Sequence, residues 1–196
     1  MNPPMTTRET AIIEFDQWLQ SPAGRYVLEW EQRQMDRTVA DIFGFHAAQL
    51  GLPQLEALRA NRMPHRWVAH DCLIVPEPLP LPPPAGEIST LSPDIPVALH
   101  CDFDALPFPS QSIDLLVLPH VLELARDAHE TLREVERVLV PEGRVVIVGF
   151  NPASLWGLRQ RAGYLRQQLR LSKRARFLPA AGEFVGYWRL RDWLRL

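Results

Sequence analysis

A chain of 196 residues with 46% apolar and 22% charged residues has the size for one domain with a substantial core and a small appendage. A net charge of −2 points to neither a nucleic-acid nor a membrane surface as a whole, and no apolar run is long enough to cross a bilayer. The opening MNPPMTTRETAII lacks the basic-then-apolar order of a signal peptide, and Cys72 and Cys101 form neither a CxxC pair nor a dense framework. Reduced thiols in a cytoplasmic protein are therefore expected.

Thr6 with Glu9 makes a capping box that starts a helix running to about Gln20. Ser21-Pro22 opens a second helix, with serine as cap and proline in the first turn. Leu28, Met35, Val39 and Ile42 lie along one stripe of it. Tyr26 and Trp30 are read as broadening that stripe by core packing. These two helices, residues 1–44, are expected to pack across one edge of a sheet. Phe45–Gly51 predicts a buried strand, Pro53–Asn61 a helix with Leu55 and Leu58 inward, and Arg66–His70 a second strand. From Val75 to Pro84 the run VPEPLPLPPP excludes helix and central strand, because proline lacks the donor and fixes φ. It reads as a polyproline-like segment, either a ligand for an aromatic groove or a stiff loop at 76–84. Nothing else signals docking, so the loop is the working expectation. Pro96–Cys101 is the next strand, ending at Asp102.

Leu106 to Asn151 reads as strand, crossover helix and strand. Ile113–Leu118 (IDLLVL) is an apolar run but for Asp114, as a strand covered on both faces should be. Asp127 caps the following helix with Glu130 three positions on, and Leu132, Val135 and Leu139 share one face. Pro141-Glu142-Gly143 is expected to stop that helix before the strand Arg144–Gly149. A parallel βαβ unit follows, and with it the fold class over residues 45–151: an α/β, Rossmann-like, doubly wound and mostly parallel sheet.

Residues 152–196 form a basic and helical C-terminal segment. Arg159 to Arg176 carries seven basic residues (Arg159, Arg161, Arg166, Arg170, Lys173, Arg174 and Arg176) and no acid. It could contact nucleic-acid phosphates, lie over a site as a solvated lid, or rest on an anionic membrane surface. Tyr187–Leu196 predicts an amphipathic helix.

In an open α/β sheet, ligands bind outside the carboxyl ends of the strands. The expected strand ends present Gly51, Asp71, Asp102, Pro119-His120 and Asn151. Carboxylates there can accept hydrogen bonds from a ribose hydroxyl pair or an exocyclic amine, the polar handles of a nucleoside. They can equally cap the helices that follow. The stretches DFDALPFPSQSIDLLVLPHVLEL and LREVERVLVPEGRVVIVGFNP resemble the second half of a class I S-adenosylmethionine-dependent methyltransferase of the type 11 group. The similarity covers about Val97 to Asn151. The FNPASLWGLR and YWRLRDWL stretches point to a proteobacterial methyltransferase-like subgroup.

The resemblance implies S-adenosylmethionine as cofactor and an unidentified acceptor, most simply a small molecule. It implies that Asp102 meets the adenine amino group and that the Phe103 backbone N–H meets an adenine ring nitrogen. Pro119 and His120 would line the methionine side, Asp71 would hold the ribose, and Gly51 would belong to the glycine-rich first motif. His120 is also the candidate base, since histidine titrates near neutrality. His65, His70 and Cys72 match no standard zinc spacing, so no metal is expected. Two features depart from the family. The first motif is QLGLPQ, with one glycine, no acid, and leucine and proline in place of further glycines. Nothing after YWRLRDWLRL remains for the family's last two strands. A fragment of a longer protein, or an exposed sheet edge open to homodimerisation, is therefore expected. The eroded motif keeps a second reading alive: a methyltransferase-like binding or regulatory protein without catalysis.

Overall fold

The computed structural model describes residues 7–71, 97–151 and 185–194. The proline-rich run, Cys72 and the basic Arg159–Arg176 segment lie outside the described residues. The elements in order are α1 (Thr7–Leu19), α2 (Pro22–Val39), β1 (His46–Leu50), β2 (His65–Asp71), β3 (Val97–Cys101), β4 (Ile113–Pro119), α3 (Val121–Leu124), α4 (Ala128–Val138), β5 (Leu139–Val148) and α5 (Tyr187–Trp193). The five strands form one parallel sheet in the order β3-β2-β1-β4-β5. The expected doubly wound α/β fold is present. Its order reverses between β1 and β4, the place where such sheets open a crevice.

Alternation along the central strands splits the core in two. Ala47, Leu115 and Val117 face a cluster with Phe15, Trp18 and Leu19 of α1 and Met35 and Val39 of α2. Ala48, Leu50, Leu116 and Leu118 face the opposite cluster, with Val135 and Val138 of α4 and the partly buried Leu190 of α5. The N-terminal helices thus cover a face of the sheet, over β1 and β4, and not its edge as the sequence had suggested. Apolar residues on both sides of β1 and β4 leave each face needing its own layer, and α1 and α2 supply one.

The caps at Ser21 and Asp127 are as read, while Thr6, read as the cap of α1, lies outside the described residues. Ser21 Oγ accepts from Gly24 N (3.1 Å), and Asp127 Oδ1 accepts from His129 N (2.8 Å) and Glu130 N (3.3 Å). Gly24 sits where α2 crosses α1, and a Cβ there would stand 2.2 Å from Trp18 O. Three further expectations fail. Tyr26 and Trp30 are 65% and 51% exposed, not core. At 3.6 residues per turn they lie on the side of α2 opposite Met35 and Val39. Residues 53–61 form successive turns and not a helix, although Leu55 and Leu58 are fully buried as expected. The turns close through three-residue bonds, Leu55 N to Leu52 O (3.0 Å), Arg59 N to Glu56 O (3.1 Å) and Asn61 N to Leu58 O (3.1 Å). Finally, α4 stops at Val138 and Leu139 opens β5 by pairing with Ile113. Pro141 disfavours helical geometry at the residue before it, so the helix ends early and Pro141-Glu142-Gly143 becomes a bulge within the strand.

Candidate functional site: a crevice at the strand tips

The crevice opens at the carboxyl ends of β1, β2 and β4, with Phe103 beyond β3 on one wall. Gly51, Asp71, Phe103, Pro119 and His120, five of the six residues singled out by resemblance, line it together. Asp102 is not among the lining residues. Its Oδ1 accepts from Asp104 N (3.1 Å), so it shapes the turn after β3. The α1 residues Arg8, Ile12, Phe15 and Asp16 form the roof. Burial raises the Asp16 carboxyl above its usual range, offset in part by Gln54 Nε2 at 3.4 Å. His70, on the same lining, is lowered by burial and then by neighbouring His100, so it favours the neutral ring.

The β4 wall is built on charge. His120 follows β4 in left-handed backbone (φ 56°), and its N–H donates to Val148 O (2.9 Å). That turn aims the ring inward, where it is 1% exposed between Phe15 and Phe150 (ring centroids 5.0 and 4.6 Å). Its Nδ1 meets Glu123 Oε2 at 2.7 Å and its Nε2 meets Glu31 Oε1 at 3.0 Å. Burial works against the imidazolium, but the hydrogen bonds to Glu123 and Glu31 and their charges outweigh it, and the pKa is raised to about 9. Glu123 Oε1 also accepts from Phe150 N. Glu31 Oε2 is buried with no hydrogen-bond partner among the described residues. A ring that already holds both protons at neutral pH, with both nitrogens engaged, has no lone pair for a substrate proton. This geometry argues against the base anticipated for His120. What the residue does visibly is tie α2 and α3 to the end of β4.

The β1 wall is built on a neutral carboxamide. Gln49 takes the place of the family's acid and is 1% exposed. Its Nε2 lies 3.1 Å from Gly51 O, 2.9 Å from Leu52 O and 2.7 Å from Leu55 O, while its Oε1 accepts from Ala57 N (3.0 Å). The side chain absorbs backbone groups that a helix over 53–61 would have used internally, which is why that segment is turns. Gly51 has φ 70° and Leu52 φ 42°. A Cβ on Gly51 would stand 3.2 Å from Val121 Cγ2, a tight approach, and the left-handed backbone itself favours glycine there.

Sequence reading missed Arg8, Asp16, Glu31 and Glu123. Arg8 carries no local signature. Glu31 did carry one: it falls on the apolar stripe of α2, between Leu28 and Met35, where a charge calls for a partner. Glu123 stands three residues after His120, within reach across one helical turn.

These features fit an S-adenosylmethionine crevice in part. A carboxylate at the β2 tip, an apolar ring at the β3 end and a glycine at the β1 tip are in place; Leu52 and Pro53 stand where further glycines would give more room. A methyltransferase domain model matches residues 86–147. The uncharacterized protein YafS of Escherichia coli (strain K12) is 28% identical over 185 residues, 94% of this chain and 65% of that protein. Malonyl-[acyl-carrier protein] O-methyltransferase of Halorhodospira halophila is 41% identical over 58 residues, 30% of this chain and 20% of that enzyme. The chain therefore spans less than two thirds of the length of either relative. Among solved structures, a SAM-dependent methyltransferase of Thermotoga maritima aligns with TM-score 0.57 and 14% identity over 96% of this chain and 77% of its own. A chain of the Haloferax volcanii complex between the Trm112 methyltransferase activator and a methyltransferase aligns with TM-score 0.56 and 19% identity, over 94% and 74%. The fold is that of class I S-adenosylmethionine-dependent methyltransferases, and residues 86–147 match the methyltransferase domain family. The cofactor of that family is S-adenosylmethionine. No described helix is long and apolar enough to cross a membrane.

Proposed function

We propose that this chain binds S-adenosylmethionine in the crevice between β1 and β4 and transfers its methyl group to a small-molecule acceptor. The observation that carries the reading is Asp71. Its carboxylate ends β2 beside the topological switch point, on a lining that is otherwise mainly apolar. A carboxylate so placed accepts both hydroxyls of a ribose, and the Phe103 ring offers a flat apolar wall for a base. Bound there, the cofactor supplies a sulfonium-linked methyl group, which a nucleophile takes while the bonding pair stays on sulfur. Such a transfer is driven chiefly by holding nucleophile and methyl group in line, so a dedicated base is not demanded. His120 then acts as a positioning residue: its ion pairs fix α2 and α3 around the β4 tip. An acceptor lying under the roof would meet Ile12, Phe15 and the Asp16 carboxyl.

A second reading has its own observation. Leu52 and Pro53 stand where the family keeps glycines, and the loop satisfies its backbone groups through Gln49. A loop already closed on itself favours a binding or regulatory protein without catalysis. Thermal unfolding with excess S-adenosylmethionine or its demethylated product separates the two. Ligand at about a hundred times its dissociation constant stabilises the fold by roughly 2.7 kcal/mol, a rise of several degrees. That rise is the expected result; none at millimolar ligand would overturn the cofactor reading.

A further inference from the structure

Arg8 projects from the first turn of α1 into the crevice roof. Its Nη2 is ion-paired with Asp71 Oδ2, and its Nε donates to Leu124 O at 2.8 Å. Leu124 ends α3, the short helix after β4, and Asp71 ends β2. Because β1 lies between β2 and β4 in the sheet, one side chain bridges the strands on either side of the crevice floor. The pair is largely withdrawn from water, with side-chain exposures of 17% for Arg8 and 7% for Asp71, so salt screens it weakly.

The consequence is competition for one carboxylate. A ribose diol held by an aspartate uses both carboxylate oxygens, and Arg8 already holds Oδ2. Ile12 and Phe15, four and seven residues on and therefore on the same face of α1, line the same crevice. Lower down, Phe15, Trp18 and Leu19 are locked into the core under the sheet. The helix is thus anchored at its C-terminal half, while its first turns are held over the crevice by Arg8. We propose that Arg8 is a latch: the first turns of α1 must release Asp71 before a nucleoside ribose can engage it, so cofactor entry is gated by this ion pair. The inference rests on the cofactor reading above and goes beyond it by naming the contact that opposes binding. A ligand that binds only the open form has its apparent affinity reduced by the fraction of molecules that are open.

The test compares the full chain with Arg8→Gln, using calorimetric titration with S-adenosylhomocysteine and backbone hydrogen exchange of α1 without ligand. A latch predicts binding on the order of tenfold tighter in Arg8→Gln, with faster exchange confined to the first turns of α1. Unchanged or weaker binding would overturn the proposal; weaker binding would mean that Arg8 holds the ligand itself. Unchanged exchange would overturn it as well. Heat from neither protein, together with faster exchange in the variant, would instead overturn the cofactor reading while leaving the α1 contact standing.

Discussion

The two walls of the crevice are fixed by opposite means. The β4 wall holds an imidazolium between two carboxylates, Glu31 and Glu123, out of water. The β1 wall holds a neutral amide, Gln49, against three carbonyl oxygens and one N–H. The first arrangement joins elements distant in sequence and depends on pH. The second is local, joining the Gln49 side chain only to backbone groups between Gly51 and Ala57, none of which titrates. A site can therefore lose its hold on one helical layer through a proton while its loop stays closed.

The largest break should come from His120→Gln. Two buried carboxylates would lose their cation, and removing one member of a buried charged cluster costs about 3–5 kcal/mol. Urea unfolding of the variant should show a midpoint lowered accordingly; a midpoint near wild type would mean that the cluster contributes little. The milder version of that break is pH. The folded pKa of His120 is raised to about 9 from its ordinary 6.5, so its stabilisation is complete below pH 6.5 and fades as pH climbs through 9. On the order of 3 kcal/mol is at stake, and unfolding midpoints should fall between pH 7 and 9.5 in wild type but stay flat in the His120→Gln protein.

Gln49→Glu sharpens the contrast from the other wall. The change restores the acid of the family motif, yet it should destabilise by about 2 kcal/mol at neutral pH. The new oxygen would face the carbonyls of Leu52 and Leu55, which lose their donor. A neutral or stabilising outcome would show that the loop can rearrange toward the family form. The smallest effect belongs to Ser21→Ala, about 1 kcal/mol for one lost helix cap, read from the same unfolding curves.

What could be read from the sequence followed how locally each feature is encoded. Ile113–Leu118 is apolar at every position but Asp114, and Asp127-Glu130 is a cap signal with its own hydrogen bonds, so the βαβ unit was legible. The resemblance extended that reading to five residues that do meet at the crevice. Residues 53–61 were misread because their backbone partner is a side chain, Gln49, that periodicity does not register. Tyr26 and Trp30 are aromatic but lie about half a helical turn from Met35 and Val39, so their character points to the core while their helical angle points to solvent. The surroundings of His120 were only half legible: Glu123 stands three residues on, but Glu31 lies 89 positions away.

The most direct test of the account is calorimetric titration of S-adenosylhomocysteine into Arg8→Gln, where no arginine competes for Asp71, and into the same protein carrying Asp71→Asn. The amide keeps one acceptor oxygen but turns a donor toward the ribose. The account predicts heat of binding in Arg8→Gln and a loss of at least about tenfold in affinity in the double variant, the scale of one charge-assisted hydrogen bond. Equal affinity in the two proteins would contradict the placement of the ribose at the β2 tip, and absence of heat in both would contradict cofactor binding itself.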